Sequence, residues 1–373
     1  MLGFLWPFFF FIVAELVNTS ILPPRPFITR TELLWTPGVG EITAYRIPVI
    51  TQCHDGSVVT FSEARKYESG DRGSKFIAFR KSKNAGQSWS TTRFLVDDWT
   101  HPDGLNLGAV VVDKEVKTLI LLYSTCAHFQ CTTRNMTARQ FQIRSNDCGE
   151  TWSKPIDLAK ANHDLFNWTW TAGPGYGIQK TLKPHKGRLI VCGHTNVLPM
   201  GLYCIFSDDH GFTWKRGAKL LSIPYAGPLY QGSFAPTENQ LVELKDGTLY
   251  FDARNEYKYR CHCRIYFNST DGGYTIPIET LNFNSVAVDP TCDGSILLHN
   301  DVLYMSHANN DTQRVNTTLR WSMDYGKTWP YSMNVNPGDS GYSCLTRLSD
   351  NHIGLVYEKN IGPLWFVKIQ LHL

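Results

Sequence analysis

The chain has 373 residues and a formal net charge of +3, and 18% of its residues are charged. Its charges are of mixed sign and form no basic stripe, which argues against a nucleic-acid-binding protein. The length exceeds what one hydrophobic core usually holds, unless the core is divided among repeated units.

The first segment, residues 1–13, is apolar and contains five Phe residues. About twelve apolar residues are too few to span a bilayer and fit the hydrophobic region of a signal peptide. We therefore predict a signal peptide over residues 1–20, cleaved between residues 14 and 20, although a basic leading region is missing. An uncleaved anchor is the alternative. Residues 21–373 are predicted to form a single domain.

Five short segments repeat the pattern Ser-x-Asp-x-Gly-x-Thr-Trp, beginning at residues 82, 145, 207, 269 and 322. The first copy has Asn in place of Asp, and the copy at residue 269 lacks the Trp. Asp or Asn can bond backbone N–H groups, Gly adopts positive φ without steric cost, and Trp adds apolar cover. The pattern predicts tight turns between strands, with a structural rather than a catalytic role.

The copies are 63, 62, 62 and 53 residues apart, and such near-constant spacing indicates a repeat architecture. The intervals hold short apolar runs separated by turn dipeptides such as Asp55-Gly56, and no long helical period follows residue 25. Each period accommodates four antiparallel strands, and roughly 350 mature residues give about six such units. We predict an all-β fold, a six-bladed β-propeller, with the repeated turn between the third and fourth strands of each blade.

Six N-glycosylation sequons support entry into the secretory pathway: Asn18, Asn135, Asn167, Asn268, Asn310 and Asn316. All ten Cys residues follow the signal segment, an even number that suits disulfides. The candidate pairs are Cys126 with Cys131 and Cys192 with Cys204. Zinc is not predicted at residues 261–263 (CHC), because on a strand the His points away from the two Cys residues.

Polar residues interrupt or end the predicted strands at the end of the propeller opposite the repeated turns. In blade one, strands predicted at residues 44–51, 57–64 and 75–81 bring four of them there: Arg46, Glu63, Arg65 and Asp71. Later blades contribute five more: Glu238, Arg254, Arg314, Tyr342 and Glu358. Three Arg residues from three blades can clamp one carboxylate, because the guanidinium fork pairs with both oxygens. An acidic sugar is therefore a candidate ligand.

A series of short segments follows in uninterrupted order from residue 31 to about residue 360. They include YRIP at 45–48, SEARK at 62–66, PDGLNLGAV at 102–110, DARN at 252–255, SGYS at 340–343 and VYEK at 356–359. With these segments the chain resembles the sialidases (exo-α-neuraminidases), and most closely the lysosomal members of that family. The resemblance implies a glycoside hydrolase that needs no metal or other cofactor.

The resemblance also implies which residues bind the substrate. Arg46, Arg254 and Arg314 match the triad that grips the carboxylate of sialic acid. Glu358 matches the acid that orients Arg46, and Arg65 resembles a further residue lining the site.

Three residues match the catalytic positions: Tyr342 the nucleophile, Glu238 the carboxylate that activates it, and Asp71 the general acid/base. The anomeric carbon of sialic acid bears a carboxylate, so an anionic nucleophile would be repelled, and sialidases use Tyr instead. A free Tyr titrates near 10 and needs a base. The expected reaction releases terminal sialic acids from glycoproteins, oligosaccharides and glycolipids, with retention, through a sialyl–tyrosine intermediate.

Two alternatives stay open: a catalytically silent sialic-acid-binding propeller, and a trans-sialidase. The expected partner is a sialylated glycoconjugate, and by resemblance alone a protective-protein carboxypeptidase; self-association is open. We predict the lumen of the secretory pathway, most plausibly the lysosome, with secretion or membrane association as alternatives. The last residues, 366–373, lack the short tyrosine-based sorting tail of the vertebrate lysosomal enzyme.

Overall fold

The computed structural model describes residues 23, 25–67, 69–71, 73–97, 104–126, 139–165, 170–195, 199–223, 234–256, 261–360 and 362–372. The predicted signal peptide, Asn18, Asn135, Asn167, Cys131 and the side chain of Cys126 lie outside the described residues. Within these ranges, no helix has the length and apolar character needed to cross a membrane.

The described strands form six sheets, antiparallel except for one short strand, that correspond to the six predicted blades. Blade one contains β2 (Ile42–Gln52), β3 (Val58–Lys66), β4 (Lys75–Ser82) and β5 (Arg93–Asp97), close to the predicted bounds. Blade four contains β16 (Pro236–Glu243), β17 (Leu249–Asn255), β18 (Cys263–Ser269) and β19 (Asn282–Val288), and blade five contains β20 (Ser295–His299), β21 (Val302–Ala308), β22 (Val315–Ser322) and β23 (Tyr331–Asp339).

Blades two and three are less regular. Blade two contains β6 (Gly104–Asp113), β7 (Thr118–Cys126), β8 (Arg139–Ser145) and β9 (Ile156–Asp157), and blade three contains β13 (Leu189–Thr195), β14 (Gly201–Ser207) and β15 (Lys215–Leu221). Three two-residue strands join their sheets: β10 (Thr171–Ala172) and β12 (Ile178–Gln179) pair with β13, and β11 (Gly175–Tyr176) runs parallel to β6. Among the described residues, helical structure comprises α1 (Leu158–Ala161) and two 3-10 turns, His163–Leu165 and Ile278–Thr280.

The two ends of the chain meet in blade six. This blade contains β24 (Ser343–Ser349), β25 (His352–Glu358), β26 (Leu364–Gln370) and, as its outermost strand, β1 (Phe27–Trp35). β1 runs antiparallel to β26, with Phe27 opposite Gln370 and Glu32 opposite Phe366. The fourth strand of this blade therefore comes from the start of the chain, which is why five repeated turns suffice for six blades.

Each repeated turn is held by its own Ser and Asp. In the third copy, Ser207 Oγ donates to Asp209 Oδ1 over 2.7 Å and accepts from Gly211 N, and Thr213 donates to Asp209 through both N and Oγ1, over 2.8 and 2.6 Å. In the first copy, where Asn replaces Asp, Asn84 Oδ1 accepts a hydrogen bond from the backbone N–H of Ser88 in the same way. The predicted structural role is consistent with this network of hydrogen bonds.

The turns also join neighbouring blades, which the sequence pattern did not predict. Trp89 packs edge-on against Phe366 of blade six, with ring centroids 5.1 Å apart. Trp214 donates through Nε1 to Gln142 of blade two over 2.9 Å. Gly86 lies so close to Phe366 that a Cβ atom there would be 2.3 Å from its ring. The Gly and Trp positions thus form the contact with the preceding blade.

The described cysteines depart in part from the predicted pairing. Cys192 and Cys204, opposite one another on β13 and β14, form the predicted disulfide. Two further pairs are joined that we did not predict: Cys53 with Cys148, which links blades one and two, and Cys261 with Cys263. Cys292 and Cys344 are buried free thiols. An even number of Cys residues therefore did not mean that every Cys forms a disulfide, because two buried positions hold free thiols.

Candidate active site

The three predicted arginines of the triad meet at the side chain of Tyr342, which precedes β24 and is 6% exposed. The guanidinium carbons of Arg46 and Arg314 lie 5.4 and 5.3 Å from the centroid of its ring. Arg254 Nη1 donates to the phenolic oxygen over 2.9 Å. Three blades therefore each place one cation around a single phenol, at the end of the propeller opposite the repeated turns.

Tyr342 is hydrogen-bonded to Glu238, which lies on β16. The phenol donates to Glu238 Oε1 over 2.5 Å, and Glu238 Oε2 accepts from Arg254 Nη1 over 2.7 Å. Burial and the charge of Glu238 raise the pKa of Tyr342 well above its ordinary value, although Arg254 lowers it. Burial also raises the pKa of Glu238, but Arg254, His194 and the hydrogen bond from the phenol together leave it below its ordinary value. A deprotonated base thus faces a protonated phenol.

The carboxylate of Glu358, at the end of β25, joins the first and last blades. Its Oε1 accepts from Arg46 Nε over 2.7 Å and from the backbone N of Ile47 over 2.9 Å. Its Oε2 accepts from the backbone N of Tyr342 over 3.0 Å. Burial lowers the pKa of Arg46, but the ion pair with Glu358 raises it by more, so the guanidinium remains charged. Glu358 therefore holds both the cation and the phenol in place.

The backbone beside Arg46 adopts an unusual conformation. Ile47 has φ of +59°, in the left-handed region that β-branched residues rarely adopt, and the pairing of β2 with β3 shifts register between Arg46 and Val49. Such a bulge bends the strand and re-aims a side chain. Since the hydrogen bond from Ile47 N to Glu358 forms at this point, the strained residue belongs to the site, where backbone strain commonly concentrates.

Gly341 has no side chain, and the carboxylate of Glu358 occupies the space beside it. A Cβ atom at this position would lie 2.2 Å from Glu358 Oε2 and 2.9 Å from its Cβ, closer than real contacts allow. The residue before Tyr342 is therefore restricted to Gly by packing against the acid that orients Arg46.

Asp71 lies at the mouth of the site, between β3 and β4, and its side chain is 83% exposed. Arg65 Nη2 is 2.9 Å from Asp71 Oδ1, and the buried Arg65 is held in turn by Glu63 Oε2. Partial loss of hydration raises the pKa of Asp71, but the charges of Arg65 and Arg46 lower it by more, leaving it below its ordinary value. Glu63, to which the sequence assigned no role, thus anchors Arg65 beside this carboxylate.

Two contacts to the triad were not predicted. Glu256, which directly follows β17, accepts from Arg254 Nε and Nη2, each over 2.8 Å. The carbonyl of Thr291 accepts from Arg314 Nη2 over 3.1 Å. The first had a signal in the sequence, since residues two apart on a strand face the same side and Arg254 and Glu256 are so spaced. The second is a backbone contact from a distant loop and had none.

The chain is similar to known proteins over most of its length. The family described as "BNR repeat-like domain" matches residues 45–357. The chain belongs to this family, and the relatives it matches are sialidases. It is 29% identical to a sialidase of Micromonospora viridifaciens over 94% of this chain and 55% of that protein, and 28% identical to a sialidase of Clostridium perfringens over 85% of this chain and 86% of that protein.

Solved structures of family members have the same fold. A Hadza microbial sialidase superposes with a TM-score of 0.73 at 26% identity, over 88% of this chain and 66% of that one. A leech intramolecular trans-sialidase superposes with a TM-score of 0.72 over 92% of this chain and 70% of that one; at 18% identity it supports the fold alone. The chain spans 55% of the Micromonospora relative and 63% of a Bacteroides fragilis sialidase.

The packing around Glu358 leads to a prediction for Gly341→Ala. The added methyl group has no room beside the Glu358 carboxylate, so the acid must move and Arg46 loses its partner. We expect kcat/KM toward a fluorogenic sialoside to fall by at least about a hundredfold, because displacing a buried ion-paired group costs several kcal/mol. Folding is checked by circular dichroism. A folded variant with unchanged kcat/KM would show that the observed position of Glu358 is not needed.

Proposed function

We propose that this chain is a retaining exo-α-sialidase that releases terminal sialic acids from glycoproteins, oligosaccharides and glycolipids. The observation that carries the proposal is the 2.5 Å hydrogen bond from the phenol of Tyr342 to Glu238, formed among the three arginines. A cationic site with a phenol–carboxylate pair suits a sugar whose anomeric carbon bears a negative charge.

Substrate binding is the task of the triad. The sialic acid carboxylate pairs with Arg46, Arg254 and Arg314, whose planar, permanently charged forks match its two oxygens. This places the anomeric carbon beside the Tyr342 phenol, since all three guanidinium groups contact that side chain. Binding and positioning for attack thus follow from one arrangement.

Bond cleavage uses Tyr342, Glu238 and Asp71. The phenolic oxygen attacks the anomeric carbon while its proton passes to Glu238 along the existing hydrogen bond. Protonated Asp71 donates to the glycosidic oxygen, so that the aglycone leaves as an alcohol. A neutral phenol avoids the repulsion that a carboxylate nucleophile would meet from the substrate's own carboxylate.

Hydrolysis of the sialyl–tyrosine intermediate reverses these proton transfers. The Asp71 carboxylate takes a proton from water, the oxygen of that water attacks the anomeric carbon, and Glu238 returns its proton to the departing phenolate. Two displacements give net retention. The exposed position of Asp71 is suited to this step, because it must meet both the aglycone and water.

The alternatives differ in what they require of the site. A silent sialic-acid-binding propeller needs the arginines but has no use for a nucleophile paired with a base, so the Tyr342–Glu238 contact favours the enzyme. A trans-sialidase would share the same intermediate and transfer it to a sugar hydroxyl. Product analysis with and without a galactoside acceptor separates transfer from hydrolysis.

We also propose that the protein acts in the lumen of the secretory pathway, with the lysosome as the first candidate compartment. The proposal rests on the apolar N-terminal segment and the sequons. Of the described sequon residues, Asn310 and Asn316 lie on either side of Arg314, whereas Asn268 is within β18 with its Oδ1 buried. A protective-protein carboxypeptidase partner stays a prediction from the resemblance, and self-association stays open.

The substitution Tyr342→Phe tests the proposed nucleophile. Removing the phenolic oxygen leaves all three arginines, so steady-state turnover of a fluorogenic sialoside should fall by at least about a thousandfold, as for loss of a nucleophile. Binding of a sialic acid analogue, measured by calorimetry, should stay within about threefold of wild type. A variant that kept more than about a tenth of wild-type turnover would rule out this nucleophile.

The pH dependence follows from the shifts at Asp71 and Glu238. The free enzyme needs Asp71 protonated and Glu238 ionised, and the pKa of each is below its ordinary value. The active protonation state is most populated midway between these two pKa values, so we expect kcat/KM to be maximal below about pH 4.5 and to fall as the pH rises. Measurement from about pH 3.5 to 8, with analogue binding as the control for folding, checks this. A maximum above about pH 7 would contradict the acid role of Asp71.

A further inference from the structure

Arg254 is held more completely than the other two arginines of the triad. Its Nη1 donates to Glu238 and to the phenol of Tyr342, over 2.7 and 2.9 Å. Its Nε and Nη2 both donate to Glu256, each over 2.8 Å, one to each carboxylate oxygen. The edge of the guanidinium that faces away from Tyr342 is therefore occupied by a bidentate acid.

The two other arginines have simpler contacts. Arg46 is bound by Glu358 through Nε, and Arg314 donates through Nη2 to a backbone carbonyl. Each also lies over the ring of Tyr342, whereas Arg254 reaches its hydroxyl group. Arg254 thus contacts the phenolic oxygen through a hydrogen bond, whereas the other two arginines lie over the ring. Because a hydrogen bond weakens when its donor and acceptor are misaligned, this contact needs a defined orientation of the guanidinium plane.

A bidentate carboxylate fixes that plane. The guanidinium group is flat and its donors have fixed directions, so two parallel bonds at the Nε–Nη2 edge prevent rotation about the bond to Cδ. The four hydrogen bonds of Arg254 leave one N–H of Nη2, and the fixed plane of the guanidinium aims it in one direction. Without Glu256, the guanidinium would be held at Nη1 alone and could turn while keeping its charge.

We propose that Glu256 is a positioning residue that fixes the fork of Arg254 toward the carboxylate of the substrate. This inference rests on the proposed sialidase function. Glu256 is suited to the role because its side chain is 27% exposed at the mouth, and its backbone N is anchored to the carbonyl of Ala235 over 2.9 Å. It acts on Arg254 as Glu358 acts on Arg46, so two of the three arginines have a dedicated acid.

The test compares two ligands in the wild type, Glu256→Ala and Glu256→Gln. One ligand is an unsaturated sialic acid analogue with a free carboxylate, and the other is its methyl ester, which keeps the rest of the sugar. The ratio of their dissociation constants, from calorimetry, measures how well the triad recognises the charged carboxylate. A matched control is Glu32→Ala, since Glu32 also accepts two hydrogen bonds from an Arg two residues away, Arg30, on the exposed strand β1.

We expect Glu256→Ala to reduce the preference for the free carboxylate by about tenfold or more, with KM of a sialoside rising more than kcat falls, because a misaligned fork loses paired charge-assisted bonds. Glu256→Gln, which keeps one acceptor oxygen, should lie between Glu256→Ala and wild type. Glu32→Ala should leave the preference unchanged.

An unchanged preference in folded Glu256→Ala would overturn the inference and indicate a purely structural role. Tighter binding of the carboxylate ligand by Glu256→Ala would also overturn it. That result would show that Glu256 competes with the ligand carboxylate for the Arg254 guanidinium. If Glu256→Ala does not fold, the nearly isosteric Glu256→Gln decides by the same ratio. A wild-type protein without preference for the free carboxylate would instead contradict the proposed function.

Discussion

The arrangement of the site depends on the carboxylate of Glu358, which is shared between the first and last blades. It binds the side chain of Arg46 and the backbone of Ile47 on one side, and the backbone of Tyr342 on the other. Arg46 and Glu358 are 312 residues apart in sequence and meet because the first and last blades are neighbours in the closed ring. Closure of the propeller and assembly of the reacting groups are therefore the same structural event.

The buried charges at this junction explain why so many acids accompany the arginines. An isolated charge in a protein interior is costly, whereas a paired and hydrogen-bonded one is tolerated. Glu358, Glu256 and Glu63 each hold an arginine and, in the proposed mechanism, none of them reacts. Glu238 is different, because its second oxygen is bonded to a phenol whose pKa burial raises. The hydrogen bond to the phenol thus sets Glu238 apart from the three acids whose hydrogen bonds go to arginine side chains and backbone groups.

Much of this could be predicted from the sequence, because the relevant signals are local. The repeated turns have a near-constant spacing, and the segments between them contain short or alternating apolar runs. The number of blades and the place where each strand ends can therefore be predicted. The positions of Arg46, Arg254, Arg314, Tyr342 and Glu238 at one end required only the order of strands within a blade. Their convergence on one phenol is a consequence of the closed ring.

The features that escaped prediction depend on contacts between distant segments. The outermost strand of blade six comes from residues 27–35, which contain no repeated turn to mark them. The disulfide between Cys53 and Cys148 joins two turns 95 residues apart, and the carbonyl of Thr291 reaches Arg314 from another loop. Glu256 had a local signal, the Arg-x-Glu spacing, but a single such pair is common on exposed strands, as Arg30 and Glu32 show.

Trapping of the proposed sialyl–enzyme intermediate tests most directly whether Tyr342 forms the covalent bond to the sugar. A fluorinated sialic acid donor with a good leaving group slows the second displacement more than the first, so that the sialyl–enzyme adduct accumulates. Mass spectrometry of the protein and of its proteolytic peptides should show one added fluorosialyl group, located at Tyr342. An adduct on another residue, or complete turnover of the donor by the active enzyme with no adduct at any time, would contradict the account.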